Sequence, residues 1–271
     1  MKCRIPAVVS IILIILLSCS FPARAERPSS ALAAFDTYAA SVESRLTQQH
    51  RSAAGFLADV QPGSQSDERL RRSDLIIKKL SPGDKLQPRG ALIHDWCGTA
   101  FVPGATAAEF ENLMKDLGAY PRVFAPQVTR ARIVAPQIKP VPDRFTATMR
   151  VRQMHVITVV MDTTYDVTYG RLDPQHGYSF SRSTQSDEIA DAGTSNEHAL
   201  SADKEHGFLW RLNTYWTYEQ RDGGLYIQIE SISLTRGIPP GLAWAIGPFV
   251  ESFPRESLEF TLHATSKALQ K

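Results

Sequence analysis

The triplet His94-Asp95-Trp96 is the part of this sequence with the clearest capacity for chemistry. A histidine beside a carboxylate can act as a general base, with the carboxylate orienting the imidazole. Adjacent residues of a strand point to opposite faces, so proximity in sequence does not by itself pair the two side chains. We therefore favour a structural interpretation, in which Trp96 packs under the first helix and Asp95 bonds to nearby backbone groups.

Cys97 follows this triplet directly and lies three residues from His94. An odd interval within a strand places two side chains on opposite faces, which argues against a thiol–imidazole pair. We interpret Cys97 as a small buried apolar residue rather than as a nucleophile.

The sequence lacks the motifs of metal sites and of familiar hydrolases. Its seven histidines include no pair four residues apart, the spacing that places two ligands on one helical face. It contains no Gly-x-Ser-x-Gly elbow, and Gly90, Gly98 and Gly104 do not form a phosphate-binding loop. We predict no metal, no cofactor and no assigned catalytic residue.

The N-terminal residues have the pattern of a cleavable signal peptide. Lys2 and Arg4 precede an apolar run at 7–17, and Ala23-Arg24-Ala25 supplies the small-x-small pattern before the cleavage site. The run is shorter than the ~20 residues that a membrane-spanning helix needs. We expect an exported protein, periplasmic or secreted, that begins near Glu26.

A second processing route competes with this one. Residues 16–19 resemble a bacterial lipoprotein box, which would leave Cys19 lipidated as an anchor. Leu17 is uncommon at its position in that box, and the later Ala-x-Ala site competes with it. We therefore rank lipidation second.

Removal of residues 1–25 takes away Lys2, Arg4 and Arg24 and no acidic residue, so the formal charge falls from +2 by three to −1. A chain this close to neutral has no basic field for nucleic acid or for an anionic membrane surface, so peripheral membrane contact, if it occurs, needs another basis than charge. Of the three cysteines only Cys97 then remains, so no disulfide forms within the chain.

Apolar periodicity predicts the elements that must position these residues. A helix is predicted within 29–57, followed by a turn-rich linker at 61–66 and a short strand at 74–80. The apolar stripe of that helix, with spacings of three and four, consists of Leu32, Phe35, Tyr38, Val42 and Leu46.

A strand at 91–102 is followed by a helix that Thr106 and Glu109 would cap, and by a second short helix within 119–126. The later strands are predicted at 127–135, 144–152, 155–169, 178–189, 208–220 and 225–236. The segment 242–269 is a long helix, regular from about Arg255. This order predicts an α+β fold, with an antiparallel sheet packed on the C-terminal helix.

A tight turn at Asp222-Gly223 would set Trp216 opposite Ile229 and decides which hairpin residues face inward. Arg211 and Glu230 would form an ion pair on the other face if the register allows. The predicted inward set is Trp210, Leu212, Thr214, Trp216, Tyr218, Leu225, Ile227, Ile229, Ser231 and Ser233. The predicted partner face carries Arg211, Asn213, Thr217, Glu219, Gln228 and Glu230, together with Tyr215 and Tyr226.

Five runs of this sequence resemble those of bacterial proteins of the START-like, or SRPBCC, superfamily. The runs are 90–96, 101–106, 209–213, 219–226 and 254–258. The superfamily includes steroidogenic lipid-transfer domains, the birch pollen allergen and polyketide cyclases, and it has no common catalytic motif. The resemblance implies a helix-grip fold, a curved antiparallel sheet wrapped around a long C-terminal helix, here with an added N-terminal helix.

The resemblance also implies a deep cavity between the sheet and the C-terminal helix that holds a lipid or another apolar molecule. We divide the chain into a signal peptide at 1–25, an N-terminal helix and linker at 26–66 and a START-like domain at 67–271. The residues predicted to line the cavity are Trp96, Leu212, Thr214, Trp216, Ile229, Ser231, Ser233 and Leu258.

Three functions fit this sequence. The first is an exported protein that binds or carries an apolar small molecule or lipid. The second is a cyclase or dehydratase that uses the same cavity, with Arg211, His94 or Tyr215 as acid–base groups. The third is an envelope interaction module whose core is filled and whose N-terminal helix docks on a partner through Phe35, Tyr38 and Val42. Sequence patterning does not separate a filled core from a cavity.

Overall fold

The computed structural model describes residues 27–80, 87–135, 143–154, 158–238 and 243–270. The predicted signal peptide at 1–25, with Cys19, lies outside the described residues. So do residues 155–157, the first part of one predicted strand.

Helices and strands occur in the predicted α+β order. The described helices are α1 (Ser29–Gln49), α2 (Gln65–Arg71), α3 (Ala107–Lys115), α4 (Tyr120–Val123) and α5 (Ala243–Leu269), with a 3-10 turn at Leu117–Ala119. The strands are β1 (Ile76–Lys79), β2 (Ala91–Pro103), β3 (Val128–Ala135), β4 (Arg144–Met154), β5 (Thr158–Asp173), β6 (His176–Ala190), β7 (His198–Ala199), β8 (Arg211–Arg221) and β9 (Gly224–Arg236).

The strands form one antiparallel sheet in the order β1-β2-β9-β8-β6-β5-β4-β3, and the two-residue β7 pairs with β6. Helix α5 packs on one face of it. The predicted helix-grip α+β fold, with an added N-terminal helix, is therefore confirmed.

Capping explains where the shorter helices begin. The Thr106 hydroxyl accepts from the backbone N–H of Glu109, and the Glu109 carboxylate accepts from the N–H of Thr106, so the predicted capping box is confirmed. The segment predicted as a linker instead leads into α2, because Ser64 caps it by accepting from the N–H of Asp67 at 3.2 Å. Helix α1 ends at Gln49, earlier than the predicted 57.

The β8–β9 hairpin has the register that the turn predicts. Asp222 and Gly223 both have positive φ, at 58° and 74°, as a two-residue primed turn requires, and Trp216 lies opposite Ile229. The same register sets Arg211 opposite Leu234 and Glu230 opposite Tyr215. The register therefore does not allow the Arg211–Glu230 ion pair, and that prediction is wrong.

Both faces of the sheet are covered. The inner face, which carries Trp216 and Ile229, packs against α5 and α3. The outer face packs against the apolar stripe of α1, in which Phe35 and Val42 are buried, so these side chains do not form an exposed docking stripe. Trp210, predicted to face inward, precedes β8 and packs with this outer cluster instead.

No described helix is both long enough and apolar enough to cross a membrane. The described part of the chain also contains no group of three His, Cys, Asp or Glu side chains arranged to hold a metal ion.

Candidate ligand-binding site

A row of four side chains crosses the inner face on four adjacent strands, β6, β8, β9 and β2. Ser181 of β6 lies opposite Thr214 of β8, Thr214 lies opposite Ser231 of β9, and Ser231 lies opposite Trp96 of β2. All four are only half-buried, whereas their outer-face neighbours on the same strands, such as Tyr215 and Ile232, are buried. We call these four residues the hydroxyl row, after the hydroxyls of Ser181, Thr214 and Ser231.

The hydroxyls of this row are available to a ligand. The side chains of Ser181, Thr214 and Ser231 make no hydrogen bond with any described residue, and none of their oxygens is a buried atom lacking a partner. A hydroxyl in this state is reached by solvent. Solvent therefore reaches the inner face at this row, and we call the space beside the row the hollow.

The next row toward the β8–β9 turn is buried, and we call the cluster that it forms with α5 the dry cluster. The row consists of Ser179, Trp216, Ile229 and Gly98, which lie opposite one another on the same four strands. Trp216 and Ile229 are 7% and 3% exposed and share one cluster with Leu258 of α5. This cluster closes the hollow on the side of the turn.

The row on the other side of the hydroxyl row contains Leu212 and Ser233, which lie opposite each other. Leu212 is half-buried and packs against a cluster that includes Tyr165 and Val167 of β5. Ser233 is buried and lies opposite His94, whose Nε2 is 3.2 Å from the Thr235 hydroxyl. Apolar side chains and hydroxyls thus lie side by side on this part of the inner face, a composition that small-molecule sites commonly have.

The eight predicted lining residues fall into two groups in the structure. Trp216, Ile229 and Leu258 lie in the dry cluster, and Ser233 is buried beside His94. The other four, Trp96, Leu212, Thr214 and Ser231, are half-buried. Sequence reasoning missed Ser181, although the alternation of Tyr178 and Phe180 with serines in β6 could have indicated it.

Tyrosines of the inner face stay neutral. Burial raises the pKa of Tyr165 to about 12. Burial and the nearby Glu111 carboxylate raise the pKa of Tyr218, whose O–H donates to Glu111 at 3.0 Å. The groups that face the hollow can donate and accept hydrogen bonds, and they suit a ligand that is apolar with a few polar atoms.

Two of the three predicted acid–base groups lie on the other face of the sheet. Tyr215 is buried under α1 and donates to the Glu43 carboxylate at 3.0 Å, and burial raises its pKa. Arg211 shares that face by strand alternation. His94 is on the inner face, beyond the hydroxyl row.

The triplet His94-Asp95-Trp96 is split by the sheet, as strand alternation predicts. Asp95 points to the outer face, where it accepts from the O–H of Tyr38 of α1 at 2.6 Å. The sequence predicts hydrogen bonds from nearby backbone groups to Asp95 and does not indicate this side-chain donor. Trp96 lies on the inner face, away from α1, so its predicted packing under the first helix is wrong.

No family model matches this chain, and no curated protein matches it in sequence. Three solved structures illustrate what it is similar to. Human StAR-related lipid transfer protein 5 has a TM-score of 0.48 and 13% identity, and the match covers 88% of this chain and 97% of that one. A STAR-related lipid transfer protein from Xanthomonas axonopodis has a TM-score of 0.45 and 14% identity, over 72% and 99%.

The third is the Zhui aromatase/cyclase from a Streptomyces species, with a TM-score of 0.43 and 13% identity, over 65% of this chain and 93% of that one. The fold assignment rests on the sheet order and on α5 of this chain.

Proposed function

We propose that this protein is exported and that it binds or carries an apolar small molecule or lipid in the hollow between the sheet and α5. The hydroxyl row carries this proposal. Three hydroxyls that bond to no described protein group and that solvent reaches are unusual on the inner face of central strands, where buried polar groups normally have partners. A ligand with a few polar atoms would supply those partners.

The neighbouring side chains favour an apolar ligand body. Trp96 belongs to the row and Leu212 lies in the next one, and no residue of the row is charged. An apolar molecule gains ~25 cal/mol for each Å² that it removes from water, while the hydroxyls orient it and add specificity.

Export is supported by the residues at 1–25, with Lys2 and Arg4 before the apolar run and Ala23-Arg24-Ala25 after it. Cleavage after Ala25 predicts a mature N-terminus at Glu26, whereas lipoprotein processing predicts a lipidated Cys19. The intact mass of the protein from the envelope fraction distinguishes the two. Recovery of uncleaved protein from the cytoplasm alone would refute export.

The decisive experiment is native mass spectrometry of the purified protein, followed by organic extraction of whatever co-purifies. We expect a bound lipid or apolar molecule. The Ser231→Leu variant should lose it, because the added isobutyl group projects into the hollow beside Thr214. Ser44→Leu is the matched control, since Ser44 is exposed on α1.

A wild-type protein that is recovered without ligand, and that takes up none from a panel of lipids and sterols, would end the carrier hypothesis. So would a Ser231→Leu variant that folds and still retains the ligand at wild-type occupancy. Circular dichroism of both leucine variants establishes that they are folded.

A further inference from the structure

A second cavity lies on the outer face of the sheet, on the side opposite the hydroxyl row. It has a volume of about 460 Å³ and lies between α1, the segment 58–60 and the strands β1, β2 and β9. Small-molecule sites in proteins typically have volumes of ~300–1,000 Å³. We call it the outer cavity.

Two buried carboxylates form part of its floor. Asp95 of β2 is 1% exposed, and Glu230 of β9 is 4% exposed. They occupy the same face of adjacent strands, because Glu230 lies opposite Cys97, two residues beyond Asp95. Buried carboxylates are stable only with partners that balance their charge.

Glu230 is held through only one of its two oxygens. Arg45 of α1 binds Glu230 Oε1 at 2.5 Å, and Glu230 Oε2 accepts no hydrogen bond from a described residue. The Glu230 side chain is 5% exposed and lines the outer cavity. An ionised carboxylate has several acceptor positions, so Oε2 can receive a donor from within the cavity.

The lining charges favour a cationic occupant. The described lining residues include three carboxylates, Asp59, Asp95 and Glu230, and two cationic groups, Arg45 and Lys78. Lys78 binds Asp59 at 2.9 Å and is about half exposed, so this pair lies toward solvent. The floor therefore combines two carboxylates with the guanidinium of Arg45, which binds Glu230, and the O–H of Tyr38, which donates to Asp95.

The walls of the outer cavity are apolar. Val42 of α1, Val60, and Ile76 and Leu80 at the β1 edge all line it. An apolar wall does not suit a hydrated metal ion, and the described residues contain no three-ligand metal group. The combination suits an organic cation with a short apolar body.

We propose that the outer cavity is a binding site for a small amphipathic amine, whose ammonium group binds Glu230 and Asp95 and whose apolar part contacts Val42 and Val60. This site is separate from the inner hollow, because the sheet lies between them. It does not depend on the proposed carrier function.

The test is calorimetric titration of the purified protein with hexylammonium chloride at pH 8.5. Hexanol and hexanoate are the matched probes, since they have the same apolar body with a neutral or an anionic head. We expect hexylammonium to bind at least about tenfold more tightly than hexanol, and hexanoate not to bind. Equal affinity for hexylammonium and hexanol would overturn the proposal.

Two variants locate the binding. Glu230→Gln should weaken hexylammonium binding about tenfold or more, whereas Glu68→Gln, the same change at an exposed position of α2, should leave it unchanged. Ser41→Trp places an indole at the mouth of the cavity from an exposed position of α1, so it should block binding even if Glu230→Gln fails to fold. Wild-type affinity in a folded Ser41→Trp protein would refute the outer cavity as the site.

Discussion

Gly98 of β2 lies directly beneath Leu262 of α5. A Cβ atom at position 98 would stand 2.7 Å from Leu262 Cδ1 and 3.0 Å from Leu258 Cδ2, closer than such atoms pack. Helix and sheet are therefore in direct contact at this point. The absence of a side chain at Gly98 sets how closely α5 approaches the sheet.

Gly98→Val should destabilise the protein by roughly 1–3 kcal/mol, because overpacking forces α5 away from the sheet. Urea unfolding followed by circular dichroism measures the effect. Leu262→Ala alone should cost roughly 2–4 kcal/mol through the space it leaves. The double variant should cost less than the sum of the two single changes, since the valine fills part of that space. Strict additivity would show that the two residues do not share the contact.

Asp95→Asn should stabilise the protein at high pH. Burial, reinforced by the Glu230 carboxylate, raises the pKa of Asp95 from 3.8 to about 7. The native state then binds a proton that the unfolded chain has released, so the contribution of Asp95 to stability is present below pH ~4 and is lost as the pH rises through ~7. Asparagine is neutral throughout and can still accept from Tyr38.

The stability of Asp95→Asn relative to wild type should therefore increase by roughly 2 kcal/mol between pH 5 and pH 8.5. Chemical denaturation at the two pH values measures it. Asp36→Asn, an exposed change on α1, is the control and should show no such trend. An unchanged difference between the two pH values would contradict the raised pKa.

His50 should have the opposite pH dependence. It is buried after α1, with its Nε2 2.9 Å from the Thr217 hydroxyl and its ring stacked on Tyr178. Burial, and to a smaller extent the Arg45 charge, lowers the pKa of His50 from 6.5 to about 4. Its contribution to stability is present above pH ~6.5 and is lost as the pH falls toward ~4, because the unfolded chain takes up the proton first.

Wild type should therefore lose roughly 2 kcal/mol relative to His50→Phe between pH 7 and pH 5. Phenylalanine keeps the ring contact with Tyr178 and does not titrate. His263→Phe, at an exposed position of α5, is the control. Parallel stability curves for wild type and His50→Phe would show that His50 does not titrate differently in the two states.

Glu43 links α1 to the outer face of the sheet. Its carboxylate accepts from Arg182 Nε at 2.6 Å and from Arg182 Nη2 at 2.9 Å, and it also accepts from the Tyr215 O–H. Glu43→Gln should cost roughly 1–3 kcal/mol, because Arg182 and Tyr215 lose a charged acceptor in a partly buried place. Glu256→Gln, an exposed glutamate of α5, should cost less than ~0.5 kcal/mol. Equal losses in the two variants would refute a docking role for Glu43.

Much of the architecture could be predicted from local sequence signals. The capping box at Thr106 and Glu109 positions α3, and the Asp222-Gly223 turn sets the whole β8–β9 register, including Trp216 opposite Ile229. Alternation along β8 and β9 then decides which of their residues face α5. These signals act between residues that are close in the chain, so their geometry follows from spacing alone.

The position of Trp210 shows where such prediction ends. Trp210 precedes β8 and packs with the outer cluster, because strand alternation does not apply to a residue just outside a strand. Arg211 opposite Leu234, by contrast, already follows from the turn that sets Trp216 opposite Ile229, so the Arg211–Glu230 pair did not fit the predicted register.

By itself, the sequence determined the order of elements, the inward face of the hairpin and the split of His94 from Asp95, because backbone geometry and hydrophobic periodicity act locally. Only the tertiary structure decided that α1 covers the outer face, that Arg45 meets Glu230 above a cavity there, and that the hydroxyl row crosses four strands. Those relationships join residues up to 185 positions apart, and they exist only once burial of apolar surface has brought distant segments together.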